Sequence, residues 1–117
     1  MIQHYKKSLT LIVSLFSFCY CFSQDIILNS QSAINAFDTS TTIIKGDLTI
    51  GNSPIADPII NLSNLSGLTS IGGNLIITGQ NSIANLNGLN NLNSVGGYLD
   101  IRYNNSLLSL EGLNQLT

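Results

Sequence analysis

The sequence predicts an all-β fold, a right-handed β-solenoid with a short N-terminal capping helix. A unit of about two dozen residues occurs three times, opening at Gly46, Gly73 and Gly97, so that successive openings are 27 and 24 residues apart. Each unit joins an alternating Leu-x-Ile stretch to a stretch in which apolar residues recur at every third position. Self-similarity at this period is typical of stacked coils, each of which buries its apolar side only against its neighbours.

The alternating stretches predict short parallel strands, one per coil, at 47–50, 74–78 and 98–102. Apolar residues two positions apart, with a different residue between them, have the period of a half-buried strand. We therefore expect both Leu75 and Leu99 to be buried. The inward columns are Leu48, Leu75 and Leu99, and Ile50, Ile77 and Ile101. The outward columns are Asp47, Asn74 and Tyr98, then Thr49, Ile76 and Asp100, then Gly51, Thr78 and Arg102.

The second half of each unit has an apolar period of three, which predicts tight 3₁₀-like corners because a 3₁₀ turn has three residues. Gly88 and Gly112 occupy matching corners, where we expect a positive φ, and Asn64 takes that position in the first unit. The spaced apolar residues are Ile59, Leu62, Leu65, Leu68 and Ile71, then Ile83, Leu86, Leu89, Leu92 and Val95, then Leu107, Leu110, Leu113 and Leu116.

The segment before the first unit, residues 24–45, differs in sequence and predicts an N-terminal cap. Residues 25–28 predict a strand, and Asn29 or Ser30 is suited to cap a helix over 31–37. Residues 42–44 align with the close of the later units. A terminal coil of unusual sequence is what a solenoid needs to cover its first apolar layer.

Three coils follow the cap, at 46–72, 73–96 and 97–117. Earlier units continue with Ser-Ile-Gly-Gly or Ser-Val-Gly-Gly at the point where this chain reaches Thr117. An uncovered last coil would expose apolar residues and an unpaired strand edge. We therefore expect truncation at the C-terminus, with further coils of the same chain as partners of coil 97–117.

The first 23 residues have the layout of a secretory signal peptide. Lys6 and Lys7 precede an apolar run from Leu9 to Phe22, and Ser23 is a small residue at a plausible cleavage edge. The arrangement predicts a secreted, extracellular or cell-surface protein without membrane insertion after signal cleavage.

Two alternatives to a cleaved signal are a membrane anchor and a lipoprotein. The apolar run has 14 residues, whereas a membrane span needs about 20. A lipoprotein would need a small residue before the modified cysteine, but Cys19 follows Phe18 and Cys21 follows Tyr20. Both alternatives are therefore weaker than cleavage after Ser23.

Charge and composition after residue 23 argue against several classes of function. Six acidic residues stand against two basic ones, a formal charge of −4, and nucleic-acid binding requires lysine and arginine to neutralise phosphates. No histidine or cysteine is left to form a nucleophile–base pair or a metal site. The carboxylates are scattered singly, unlike the paired acids of a glycosidase. We therefore expect no enzyme, no cofactor and no metal.

The stretch 73–117 combines a Gly-Gly-x-Leu-x-Ile strand with the continuation Ser-Leu-x-x-Leu-x-Gly-Leu-x-x-Leu. This pattern resembles receptor L domains, the leucine-rich-repeat-like solenoids of insulin and epidermal growth factor receptor ectodomains. The resemblance covers residues 25–117 and is closest to secreted bacterial members, since cysteines are absent and the repeat is regular. It implies a non-catalytic binding module, because L domains of the receptors contact protein ligands.

The outward strand face is the candidate ligand face, formed by Ile76, Tyr98, Asp100 and Arg102. Tyrosine and arginine are enriched among residues that dominate binding energy. One interpretation is a secreted or surface-displayed module that binds a protein or glycan, for adhesion. The other is a structural spacer or stalk repeat of a larger envelope protein, in which these side chains are simply solvated.

Overall fold

The computed structural model describes residues 24–79 and 82–117, and the predicted signal peptide lies outside them. The described elements are mainly short strands, with one short helix and one 3₁₀ turn. In chain order they are β1 (Ile26–Leu28), α1 (Gln31–Asn35), β2 (Ile43–Ile44), β3 (Leu48–Gly51), a 3₁₀ turn (Ser63–Leu65), β4 (Ser70–Ile71), β5 (Leu75–Thr78), β6 (Ser94–Val95) and β7 (Leu99–Arg102).

The strands form two parallel sheets, with the order β1-β3-β5-β7 in one and β2-β4-β6 in the other. Neighbouring strands in each sheet come from successive coils, so the coils are stacked in register. Leu48 pairs with Leu75, and Leu75 pairs with Leu99, which confirms the predicted leucine column. The long strands begin and end within one residue of their predicted bounds. The right-handed sense of the winding stays a prediction.

The core lies between the two sheets and the corners. Leu48 and Leu75 are fully buried, and so are most corner residues of the first two coils. Leu99 is 42% exposed, so the prediction that it is buried was wrong. It occupies the same column as Leu75, but no described coil covers it. The fully buried corner residues are Ile59, Leu62, Leu65, Leu68, Ile71, Leu86, Leu89 and Leu92.

The N-terminal segment packs against one end of this core. Strand β1 pairs with β3, and α1 follows it with Ser30 as the N-cap, whose hydroxyl accepts from the Ala33 N–H at 3.0 Å. The helix ends at Asn35, two residues before the predicted end. Ile34 on α1 is fully buried, so the helix closes the apolar end of the stack.

Gln31 on α1 ties this cap to the first corner. Its side chain is 9% exposed, and its Oε1 accepts from the backbone N–H groups of Ile60 and Asn61 at 2.7 and 3.1 Å. Its Nε2 donates to Asn35 Oδ1 at 2.9 Å. A buried polar side chain is tolerated when its hydrogen bonds are satisfied, and here they fix the helix over the corner.

The corners confirm two of the three positive φ predictions. Gly88 and Gly112 have φ values of 116° and 114°. Asn64 is not in this conformation, so that prediction was wrong. It lies within the 3₁₀ turn Ser63–Leu65, and its Nδ2 donates to the carbonyl oxygen of Asn35 at 2.9 Å. The first corner therefore differs because one side of it packs against the capping helix, whereas its other side contacts the second coil, where Asn91 Nδ2 donates to the Ser66 carbonyl oxygen.

Candidate functional site

The outward face of the four-stranded sheet brings together the residues predicted to form a ligand face. Ile76 on β5 pairs with Asp100 on β7, and Thr78 pairs with Arg102. Tyr98 directly precedes β7 and is 58% exposed. Ile76 is half-buried. The four predicted residues therefore lie on two neighbouring coils, with three of them on the last one.

Two other outward residues predicted from the alternation have a structural role that the sequence did not reveal. Asp47 Oδ1 accepts from the backbone N–H of Asn74 at 2.7 Å, and Asn74 Oδ1 accepts from that of Tyr98 at 2.8 Å. Asp25 begins the series by accepting from the N–H of Asp47 at 2.9 Å. We call this series the Asx ladder. Its side chains are bonded to the next coil and are not free for a ligand.

A glycine precedes each outward residue whose backbone N–H donates to the Asx ladder, and the ladder explains why. A Cβ atom added at Gly97 would overlap Asn74 Oδ1, and one at Gly73 would overlap Asp47 Oδ1. Only a glycine leaves room for the oxygen to reach the backbone of the next coil. The second glycine of each Gly-Gly pair is thus a packing requirement of the ladder.

Tyr98 ends the Asx ladder. Its backbone N–H donates to Asn74 Oδ1. Its own side chain is a phenol, however, and lacks the carboxyl or amide oxygen that Asp47 and Asn74 supply at this position. At this position the third coil therefore presents an exposed aromatic ring instead of a side-chain acceptor.

Asp100 and Arg102 form an ion pair on the same face. Arg102 Nη2 lies 3.3 Å from Asp100 Oδ2, with the two side chains 60% and 26% exposed. An exposed pair of this kind adds little to folding stability. Arg102 Cζ also lies 5.8 Å from the centroid of the Tyr103 ring, within the range of a cation–π contact. The guanidinium is therefore oriented by two neighbours.

Tyr103 belongs to this cluster, although the predicted ligand face did not include it. It is 73% exposed and has a φ of 58°. The matching positions in the first two coils are Asn52, with a φ of 57°, and Gly79, with a φ of 70°. Asparagine and glycine accept this left-handed conformation, whereas a bulky residue there is an outlier. The alignment of Tyr103 with Asn52 and Gly79 was the sequence signal that could have identified it.

We call Tyr98, Asp100, Arg102 and Tyr103 the coil-3 cluster. Its groups can stack on a ligand and form hydrogen bonds, but they do not pair a nucleophile with a base. Within 24–79 and 82–117, no group of three or more metal-ligating side chains comes together. Away from the cluster, the Ser40 hydroxyl and backbone N–H donate to the Asp38 carboxylate and hold its pKa below the ordinary value.

A family model for the receptor L domain matches residues 40–117, a stretch that includes both sheets from β2 onward. The chain belongs to the receptor L domain family. Neither a curated protein nor a solved structure matches it. Receptor L domains are ligand-binding, non-catalytic modules that are typically extracellular, and their ligands are proteins. In the part of this receptor L domain that the structure describes, no helix has the length and apolar character needed to cross a membrane.

Proposed function

We propose that this receptor L domain is a secreted or cell-surface binding module for adhesion, which presents the coil-3 cluster to a protein ligand. The proposal rests on the family, whose members bind proteins, and on the cluster itself. The role is one of recognition, since receptor L domains are a non-catalytic family and tyrosine and arginine are enriched at interfaces.

One observation carries this proposal: the third coil departs from the repeat at its outward positions and keeps it at its inward ones. Leu99 and Ile101 retain the Leu-x-Ile pattern. The four outward departures introduce two aromatic and two charged side chains, which provide contact area and charge. They are Tyr98 for Asp47 and Asn74, Asp100 for Thr49 and Ile76, Arg102 for Gly51 and Thr78, and Tyr103 for Asn52 and Gly79.

One of these departures is unfavourable for folding. Tyr103 adopts a backbone conformation that costs a non-glycine residue about 1–2 kcal/mol. Strained residues persist where the surrounding structure holds them, and they concentrate at functional sites. A role in binding accounts for Tyr103 at this position, whereas stability does not.

The mechanism we infer is rigid display. The stacked strands fix the backbone of the cluster, and the contacts from Asp100 and Tyr103 restrict the long Arg102 side chain. A ligand then meets side chains that have little conformational freedom left to lose, which lowers the entropic cost of association. Tyrosine and arginine supply most of the energy in such interfaces.

The alternative is a spacer or stalk repeat that binds nothing. It is favoured by the middle of the same face, where Thr49, Gly51 and Thr78 offer little that could anchor a partner. On this alternative the side chains of the coil-3 cluster are simply solvated and contact no partner.

Attachment of labelled protein to the surface of the producing cells separates the two functions. We expect the triple variant Tyr98→Ala/Asp100→Ala/Arg102→Ala to lose attachment at least tenfold while keeping its urea unfolding midpoint. The matched control is Ile43→Ala/Ile60→Ala, which removes two side chains that are each 58% exposed and lie outside the four-stranded sheet. Equal attachment of the triple variant and wild type would support the spacer. Loss of attachment after glycosidase treatment, but not after protease treatment, would indicate a glycan ligand in place of a protein.

A further inference from the structure

Asn87 and Gly88 form the one Asn-Gly pair in the sequence, and they lie at a corner of the second coil. Asn87 is exposed, whereas Gly88 is buried. The fold requires this glycine, because φ at Gly88 is 116° and a Cβ atom there would overlap the carbonyl oxygen of Leu62. An asparagine that water can reach is therefore followed by a residue without a side chain.

Such a pair is chemically reactive in an unrestrained chain. The backbone nitrogen of a glycine can approach the side-chain carbonyl carbon of the preceding asparagine, since no Cβ atom hinders it. A bond then forms between Gly88 N and Asn87 Cγ, the bond from Cγ to Nδ2 breaks, and Nδ2 leaves as ammonia with the proton of the glycine nitrogen. Water opens the cyclic imide at Cγ, which gives aspartate, or at the backbone carbonyl carbon of residue 87, which gives isoaspartate.

The side chain of Asn90 bonds to both reacting groups. Its Oδ1 accepts from the Gly88 N–H at 2.8 Å, and its Nδ2 donates to Asn87 Oδ1 at 3.3 Å. The first bond holds the proton that the nitrogen must lose, and the second holds the carbonyl group that the nitrogen would attack. Because ring closure turns these two groups towards each other, it requires both bonds to break or distort.

We propose that Asn87 is a site of spontaneous deamidation and that Asn90 restrains the reaction. Asn90 is a positioning residue, which keeps the glycine nitrogen and the asparagine carbonyl in an unreactive arrangement while the corner is folded. The proposal concerns the chemistry of one corner of the second coil, and it is independent of the ligand proposed for the outward face.

Aspartate at position 87 should leave the fold intact. Ser63 and Glu111 occupy the matching positions of the other coils. The backbone N–H groups of Ser63, Asn87 and Glu111 each donate to the side chain two residues earlier, at 3.2, 3.0 and 2.9 Å. The position therefore accepts a hydroxyl, an amide or a carboxylate without a change in this turn.

Isoaspartate should disturb the same corner, because it adds a carbon atom to the main chain between Leu86 and Gly88. Both flanking residues are held by neighbouring coils. The Leu86 N–H donates to the carbonyl oxygen of Glu111 at 2.7 Å, and Gly88 packs against Leu62. A longer main chain cannot keep both contacts, so this product should loosen the second coil from its neighbours.

The test incubates the full chain at neutral pH and follows deamidation of residue 87 by peptide mapping with mass spectrometry. We expect Asn90→Ala to react about tenfold faster than the wild type, the factor expected for the loss of two hydrogen bonds of ordinary net strength. Asn90→Asp keeps the acceptor for the Gly88 N–H and should react at an intermediate rate. The matched control is Asn91→Ala, which removes a neighbouring amide that donates to the Ser66 carbonyl oxygen, and it should react at the wild-type rate.

The proposal is overturned if Asn90→Ala reacts no faster than the wild type, or if Asn91→Ala accelerates the reaction equally. A comparison that needs no variant uses the wild type in its folded form and in urea, and equal rates would also overturn the restraint. For the products, Asn87→Asp should keep the wild-type urea unfolding midpoint, and the fraction that carries isoaspartate should unfold at lower urea. Equal midpoints for these two forms would overturn the inferred effect on the coils.

Discussion

The carboxylate of Asp47 lies 2.7 Å from the backbone nitrogen of Asn74, which is 27 residues further along the chain. The bond joins the first coil to the second, and Asn74 repeats it towards Tyr98. A side chain that faces solvent in the strand alternation thus stabilises the stack from outside the core.

Replacing Asp47 by alanine should lower the free energy of unfolding by about 1–2 kcal/mol, because the N–H of Asn74 loses a charge-assisted partner. Replacement by asparagine keeps an oxygen acceptor and should cost less than half as much. Urea unfolding of both variants measures the difference. Equal losses for Asp47→Ala and Asp47→Asn would show that the hydrogen bond does not matter.

A methyl group at Gly97 should be costly, because it would overlap Asn74 Oδ1. We expect Gly97→Ala to destabilise the protein by about 1–3 kcal/mol. Adding Asn74→Ala removes the oxygen, so the double variant should be more stable than the sum of the single losses predicts, by at least about 0.5 kcal/mol. Strict additivity in this cycle would rule out the steric explanation.

Substitutions at Tyr103 should change folding stability and ligand binding in opposite directions. Tyr103→Asn places a residue that tolerates a positive φ at this position and should stabilise the fold by about 1 kcal/mol, while attachment to the ligand weakens. Tyr103→Phe keeps the strain and the ring, and its stability should equal that of the wild type. Thermal unfolding and the cell-attachment assay provide the two readouts. A less stable Tyr103→Asn variant would contradict the assignment of strain.

The fold could be predicted because the same inward aliphatic positions recur in three successive units. Leu48 and Leu75 recur with the same spacing to Ile50 and Ile77, and burial follows from that repetition. Leu99 has the same pattern and is exposed, because burial also requires a covering layer. A column predicted from sequence therefore shows to which face of the sheet a side chain points, but it does not show how exposed that side chain is.

The coil-3 cluster was only partly predictable for a related reason. The alternation within the strands identified Tyr98, Asp100 and Arg102 as outward, but it identified Asp47 as outward too. The oxygen of Asp47 reaches the backbone of another coil, and such a contact depends on the distance between coils, which alternation does not encode. Tyr103 is of a residue type enriched in binding hot spots, but the predicted ligand face left it out because it lies just after the strand, where alternation ends.

Neighbouring substitutions at Leu75 and Ile76 test the stacked arrangement most directly, because the two side chains point to opposite faces of β5. Leu75 is fully buried and Ile76 is half-buried. Urea unfolding should show a loss of about 2–5 kcal/mol for Leu75→Ala and of about 1 kcal/mol or less for Ile76→Ala. A loss below about 0.5 kcal/mol for Leu75→Ala, or a larger loss for Ile76→Ala, would contradict the inward leucine column on which the account depends.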